Sequence, residues 1–309
     1  MAVTDDPAPD QWRIGVERTR AVPAQLKSFN QTDADAARTH GMTAACLDRL
    51  TDLGLDHHRE GRERLFDDRD LANIALLLGL PTPLRRTMSS WSQTLLHKAE
   101  GTTTRRSVQL LAKCPEPGHA GACEYELNPA IGRCSVPGSL HERQAGRYTF
   151  QIETPNADHF LGPEHGEFVA RMSAMEFHFI PPALTHDLDF ATATGLADCR
   201  LGALLARQVA TALGFEVRPR NGYFLAGPYM LWHNWIEILD GDWFAVDPFW
   251  LTTLARWQVP GIEAWPTVRS PQPLLWQPAD EQDGRDFYYL LSHNGAPMRP
   301  AMMSAPCRS

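Results

Sequence analysis

Residues 196 to 250 limit the fold more tightly than any other stretch: LADCRLGALLARQVATALGFEVRPRNGYFLAGPYMLWHNWIEILDGDWFAVDPFW. Asp198 is a good N-cap residue. Leu201, Leu204, Leu205, Gln208, Val209 and Ala212 follow at helical spacing, and Gly214 ends the run. FEVRPRNGYFL then reads as a strand with a break at Pro219, and LWHNWIEIL as a second strand. DGD is a turn signal, and WFAVDPFW reads as the return strand. One amphipathic helix followed by antiparallel strands predicts an α+β fold, with the helix packed on an antiparallel β-sheet.

The turn sets what this hairpin can do. A two-residue turn at Asp240–Gly241 pairs Leu239 with Asp242 and puts His233 and Asp247 on opposite faces. A three-residue loop over Asp240–Gly241–Asp242 pairs Leu239 with Trp243. His233 and Asp247 then share one face on a diagonal. The sequence permits both registers, and only the second builds a site.

Cys199 falls in the first turn of the expected helix, where unpaired N–H groups and the positive end of the helix dipole favour an anion, here a thiolate. In the second register His233 takes the thiol proton, or holds it as a thiolate–imidazolium pair, and Asp247 orients the imidazole. The Cys199 backbone N–H is a natural oxyanion donor. Trp235 and Tyr223 are candidates for a second donor or for the cleft wall.

The order Cys-on-helix, then H-x-W-x-E-hydrophobic, then W-hydrophobic-x-V-D-P resembles the transglutaminase-like superfamily of cysteine enzymes. The stretches that carry the likeness are DCRLGALLARQVATALGFEVRPRNGY and HNWIEILDGDWFAVDP, with the spacing between them. It extends more loosely over residues 145 to 276. The resemblance implies a transglutaminase/papain-like core and a triad of Cys199, His233 and Asp247. It implies acyl transfer from an amide, ester or thioester carbonyl through an acyl-enzyme. The outcome is peptidase- or amidase-type hydrolysis, or transglutaminase-type transfer. Two further readings are an amide-bond-forming acyltransferase of specialised metabolism with an amine acceptor, and a catalytically inactive interaction module. The intact triad argues against the last. The acyl donor would be a peptide, a protein or a small molecule, and the chemistry requires no cofactor. Asn234 departs from the small residue commoner in the family, and on a regular strand it faces away from His233.

Elsewhere the signals are coarser. Residues 1–32 are polar and Pro-interrupted, and read as an extended arm. Residues 33–113 read as helical. Thr43 caps a helix running from Ala44 to Leu53 and stopped by Gly54. Asp67 or Asp68 caps a second, carrying Leu71, Ile74, Ala75 and Leu78, with Gly79 after it. Pro81 and Pro83 open a third, from Leu84 towards His97. DLANIALLLGL–PTP–LRRTMSSW has the outline of a helix-turn-helix, but two prolines in the turn and an acidic chain favour a plain helical hairpin. Residues 114–145 form a Cys/Gly/Pro-rich connector, and 146–309 the catalytic domain. There RYTFQIE alternates like a strand, and Phe168 to Ile180 reads as strand or helix. His186, Asp187 and Asp189 read as loop residues near the cleft entrance.

The connector raises a metal question. Cys114, His119, Cys123 and Cys134 follow a C-x4-H-x3-C-x10-C spacing that offers soft ligands for a structural zinc. The spacing is not a paired CxxC…CxxC. A disulfide between two of the three cysteines, or plain thiols in a loop, is the favoured alternative. Cys307, near a Pro-containing tail, reads as incidental.

Composition excludes some partners. The net charge of −8 disfavours nucleic acid. The longest apolar stretches, such as Ile74 to Leu80, fall short of the ~20 residues a membrane helix needs. MAVTDDPAPDQW has neither a basic head nor an apolar core, so a cytoplasmic location is expected. Seven of the nine tryptophans lie between Trp232 and Trp276. Core packing is expected for most, and cleft lining for one or two of them.

Overall fold

The architecture follows from where capping residues start each helix. The computed structural model describes residues 8–96, 101–156, 158–278, 290–298 and 300–306, so His97 and Cys307 lie outside the described residues. The N-terminal third holds α1 (Pro9–Arg20), β1 (Phe29–Gln31), α2 (Asp33–His40), α3 (Ala44–Asp52), β2 (His58–Glu60), β3 (Glu63–Asp67), α4 (Asp68–Leu77), α5 (Pro83–Met88) and α6 (Ser92–Leu95). Next come β4 (Thr103–Leu111), β5 (Tyr125–Leu127), α7 (Ala130–Cys134), β6 (His141–Gln144), β7 (Arg147–Pro155), α8 (Gly166–Ala174), β8 (Glu176–Phe177), α9 (Leu188–Thr194) and β9 (Leu196–Ala197). The last part comprises α10 (Cys199–Ala212), β10 (Val217–Phe224), β11 (Leu231–Asp240), β12 (Asp242–Val246), α11 (Pro248–Arg256), β13 (Leu275–Trp276), β14 (Leu291–His293), β15 (Ala296–Met298) and β16 (Ala301–Pro306).

The fold is α+β, with several antiparallel sheets. A four-stranded antiparallel sheet in the order β12-β11-β10-β13 carries α10 on one face. Helix α10 buries Leu201, Leu205, Ala206 and Ala210 against Ile236, Ile238, Phe244 and Val246. Each such Leu contributes about 1.5–3 kcal/mol by leaving water. A second antiparallel sheet, β16-β4-β7-β6, packs Val108, Leu110, Phe150 and Ile152 with Tyr223 and Trp276. A small sheet, β15-β14-β5, joins that same core through Leu291 and Met298.

Leu239 pairs with Trp243 and Asp240 with Asp242, so the hairpin takes the three-residue register. Gly241 makes it possible by adopting a left-handed φ of +72°. Pro219 does not break β10. The strand runs through it, and β13 covers only Tyr223 and Phe224, so Pro219 lies where one edge of the strand is open.

Several expectations about local structure are corrected. The described part of the arm is helical over Pro9–Arg20, with Pro9 at the start, and it buries Trp12, Val16 and Thr19. One apolar side chain per turn is a sparse signal, and packing against Leu71 and Ile74 of α4 completes it. Residues 33–113 are not all helix: β4 buries Thr104, Arg106, Val108 and Leu110 in alternation, and two polar residues on the inner face masked the strand pattern. The third helix is two short ones, α5 and α6. Residues 168–180 supply most of α8 and then β8. Asp187 is not a loop residue but the cap of α9, accepting from Phe190 N at 2.9 Å, and Asp189 lies in that helix. WFAVDPFW leaves the sheet after Val246, because Asp247 caps α11 and Pro248 opens it; Trp250 is therefore helical.

The N-terminal helices pack on the core rather than beside it. Leu76, Met88, Trp91 and Leu95 share one apolar cluster with Trp250, Leu254 and Trp265. The Asn73 side-chain amide clasps the Phe179 backbone, donating to its carbonyl at 3.0 Å and accepting from its N–H at 2.7 Å. Among the described residues no helix is long and apolar enough to cross a membrane.

Candidate active site

Cys199 opens α10 because Asp198 caps it: the Asp198 carboxylate accepts from Leu201 N at 2.9 Å. As the first helical residue, Cys199 has a backbone N–H with no acceptor inside the helix. Its side chain is half-buried. Burial raises the Asp198 carboxyl above its ordinary value, against the helix N–H bonds it accepts.

His233 lies on β11 and is only 2% exposed. Its Nε2 is 2.6 Å from Asp247 Oδ2. The Cys199 sulfur is near enough to this ring to help raise its pKa. Asp247 does two jobs at once. While Oδ2 holds the imidazole, Oδ1 accepts from Trp250 N at 2.9 Å and caps α11. The D-P pair thus ends the strand, starts a helix and fixes one carboxylate oxygen.

The tryptophans account for the electrostatics. Trp250 lies with its ring 4.9 Å from the imidazole, Trp235 stacks at 6.3 Å and Phe224 closes at 6.2 Å. This aromatic cage excludes water, and burial pulls the imidazole pKa down. The hydrogen bond to Asp247, the Asp247 charge and the Cys199 sulfur together outweigh it, and His233 is pushed up to about 9. A buried imidazolium between a carboxylate and a sulfur is the form this environment favours.

Trp235 and Tyr223 are both buried in the structure. The Trp235 indole Nε1 makes no hydrogen bond. Tyr223 packs between Trp232 and Trp276. The group that reaches the sulfur is Asn234, whose Nδ2 donates to Cys199 Sγ at 3.7 Å. Asn234 belongs to the face of β11 that carries Ile236 and Ile238, the face on which α10 sits. Its alternation away from His233 is what aims it at the helix start. A polar residue next to the histidine, where small side chains are commoner, was the available signal.

The connector residues divide. Cys114, His119 and Cys123 come together, and the fourth member is His293 of β14, not Cys134; one potential ligand atom from each lies within 4.8 Å of the others. Cys134 ends α7 and packs against the core of the second sheet. The Cys123 thiol is pulled down to about 6, by His293 first and then by His119 and Tyr125.

Neither a family model nor a curated protein matches this sequence. A solved structure described as a "Putative Cysteine Protease from Cytophaga hutchinsonii" is similar at 12% identity and a TM-score of 0.33. The match covers 67% of this chain and 89% of that one.

Proposed function

We propose that this protein is a cysteine-dependent acyl-transfer enzyme with a transglutaminase-like core, acting through Cys199, His233 and Asp247. The arrangement in space carries the reading: a half-buried sulfur at a helix start, a buried imidazole whose pKa that sulfur helps raise, and a carboxylate 2.6 Å from the imidazole Nε2.

The Cys199 thiolate attacks the carbonyl carbon of an amide, ester or thioester, forming a C–S bond. The developing oxyanion takes hydrogen bonds from the Cys199 N–H and the Asn234 side-chain amide. His233 passes its Nδ1 proton to the leaving group as the carbonyl bond to it breaks. The acyl group now sits on Cys199 as a thioester. Water or an amine then attacks, losing a proton to His233, and the C–S bond breaks to return the thiolate. Asp247 keeps the ring oriented throughout. Hydrolysis and amine transfer share these steps and differ only in the second nucleophile.

The test joins labelling with product analysis. Iodoacetamide should alkylate Cys199 at neutral pH in the wild type, and far more slowly in His233→Ala. Incubation with a panel of activated esters, thioesters and peptides should give free acid alone, or free acid plus amide once an amine is added. Full activity in Cys199→Ala would overturn the reading. Failure of Cys199 to alkylate at neutral pH would also overturn it, in favour of an inactive interaction module.

A further inference from the structure

We propose that Cys114, His119, Cys123 and His293 hold one zinc ion in a closed, four-ligand site. The site would clip the C-terminal hairpin β14–β15 to the loop between β4 and β5.

The geometry is close to what the metal needs. All four ligand atoms lie within 4.8 Å of one another. A tetrahedral zinc with bonds of about 2.3 Å to sulfur and 2.0–2.1 Å to nitrogen sets ligand–ligand edges of about 3.3–3.8 Å. His119 Nε2 and Cys123 Sγ are already 3.3 Å apart, so a modest contraction of the remaining pairs completes the tetrahedron. Two thiolates with two imidazoles form a donor set that zinc prefers over hard cations.

Supporting groups point the same way. His119 Nδ1 is 3.0 Å from the Ala120 carbonyl. That carbonyl accepts the Nδ1 proton and fixes the tautomer with a lone pair on Nε2, the arrangement metal-bound histidines use. His293 is 94% buried, at 6% exposure, and its Nε2 is a buried ring nitrogen with no hydrogen bond. A buried polar atom without a partner is costly, and zinc bound through this Nε2 would relieve that cost.

The backbone brings the two halves together before any metal arrives. His293 pairs with Tyr125 across β14 and β5. Glu124 N donates to Asn294 Oδ1 at 2.9 Å, and Asn294 N donates to the Glu124 carbonyl at 2.8 Å. Cys123 and His293 are therefore placed by main-chain pairing, although 170 residues separate them. The strands of this sheet are three residues each, and the loop from 114 to 123 is mostly Pro, Gly and Ala. So little apolar mass does not hold such a segment, and small elements of this kind rely on a staple.

Four protein ligands leave no open coordination position, so the ion is structural and stands apart from the chemistry at Cys199. Its reach to that chemistry is indirect. Leu291 and Met298, beside His293, pack in the same cluster as Tyr223 and Trp276, which back the sheet carrying His233.

The experiment uses the full chain, expressed with added zinc and purified under reducing conditions. Elemental analysis should find about one zinc per chain. Replacement by cobalt(II) should give the visible bands of a tetrahedral cobalt–thiolate site. Cys123→Ser and His293→Ala should each lose the metal, while Cys134→Ser and Cys199→Ala should keep it. Chelation should lower the melting temperature. Absence of zinc in the wild type, an octahedral cobalt spectrum, or a mass showing a Cys114–Cys123 disulfide would overturn the proposal. So would metal retained by His293→Ala and lost from Cys134→Ser. The cobalt spectrum of the wild type decides the matter even if the variants fail to fold. Because Cys199→Ala should keep zinc, failure of the acyl-transfer reading and failure of this one are read separately.

Discussion

Phe249 packs against the bare backbone of Gly202: a Cβ added at Gly202 would stand 2.6 Å from Phe249 Cε1, closer than real Cβ atoms come. Gly202 lies one helical turn after Cys199, and Phe249 two residues after Asp247. This contact sets how closely α10 approaches α11, and with it the spacing of the two ends of the relay.

Gly202→Ala should therefore cost stability. Alanine improves helix propensity by about 1 kcal/mol, whereas forcing a methyl into a packed aromatic contact costs about 1–3 kcal/mol. A net loss is expected in urea denaturation, together with slower acylation of Cys199. Gly202→Ala combined with Phe249→Leu should recover part of both losses, because leucine vacates the ring edge. Additive losses in the double variant would show that this contact does not couple the two helices.

Asn234 offers a sharper test of the site. Removing one oxyanion donor lowers kcat by about 10²–10³-fold. Asn234→Ala should fall in that range with little change in KM, while iodoacetamide still labels Cys199 at close to the wild-type rate. Trp235→Phe keeps the apolar wall and should change kcat by much less. Equal losses in the two variants would return the donor role to the tryptophan.

Asp247 separates folding from chemistry. Asparagine remains a good N-cap, so Asp247→Asn should keep α11 and the melting temperature near wild type. It loses the charge that holds the imidazolium, and in the serine-protease triad the equivalent change costs about 10⁴ in kcat. Asp247→Ala removes the cap as well and should add a loss of about 0.5–2 kcal/mol in stability. An active Asp247→Asn enzyme would separate the carboxylate from catalysis.

The raised His233 pKa fixes the direction of a pH effect. The folded value of about 9 lies above the ordinary 6.5. Stabilisation from the charged ring is thus complete below about pH 6.5 and is lost as pH rises towards 9. Activity should follow, because the proton leaving Nδ1 is the one the leaving group needs. The expected profile of kcat against pH has a falling limb near pH 9, displaced downwards in Asp247→Asn. A flat profile to pH 10 would contradict the buried imidazolium.

How legible this was depends on the range of each interaction. The start of α10 is a local matter of capping and is readable in the sequence, whereas the hairpin register, and with it the meeting of His233 with Asp247, is left open between two turn lengths until the strands are paired. Strand parity turns Asn234 away from His233 on a regular strand, and parity alone says nothing of what lies on that other face. Only the docking of α10 on that face brings Asn234 to the Cys199 sulfur. His293 carries no spacing signature, because a ligand 170 residues from Cys123 is delivered by strand pairing. The β4 strand was hidden by Thr104 and Arg106 on its inner face. Each miss is a case of tertiary context overriding a local pattern.

The Asn73–Phe179 clasp gives the last test, of how the N-terminal helices serve the core. Asn73 is 8% exposed, and its amide satisfies both backbone groups of Phe179, 106 residues away. Phe177, two residues before, packs on Trp250 and Trp257, which continue the aromatic cage around His233. Asn73→Ala leaves the half-buried Phe179 N–H and carbonyl without this partner, a loss of up to about 1–3 kcal/mol per group. Asn73→Asp keeps the acceptor for the Phe179 N–H but sets a carboxylate against the Phe179 carbonyl, and should be no better. Both variants should unfold at lower urea and become more susceptible to proteolysis near residue 80, while residual enzyme keeps a wild-type KM. Stability unchanged in Asn73→Ala would mean that apolar contact alone, through Trp91 and Leu95, seats these helices on the core.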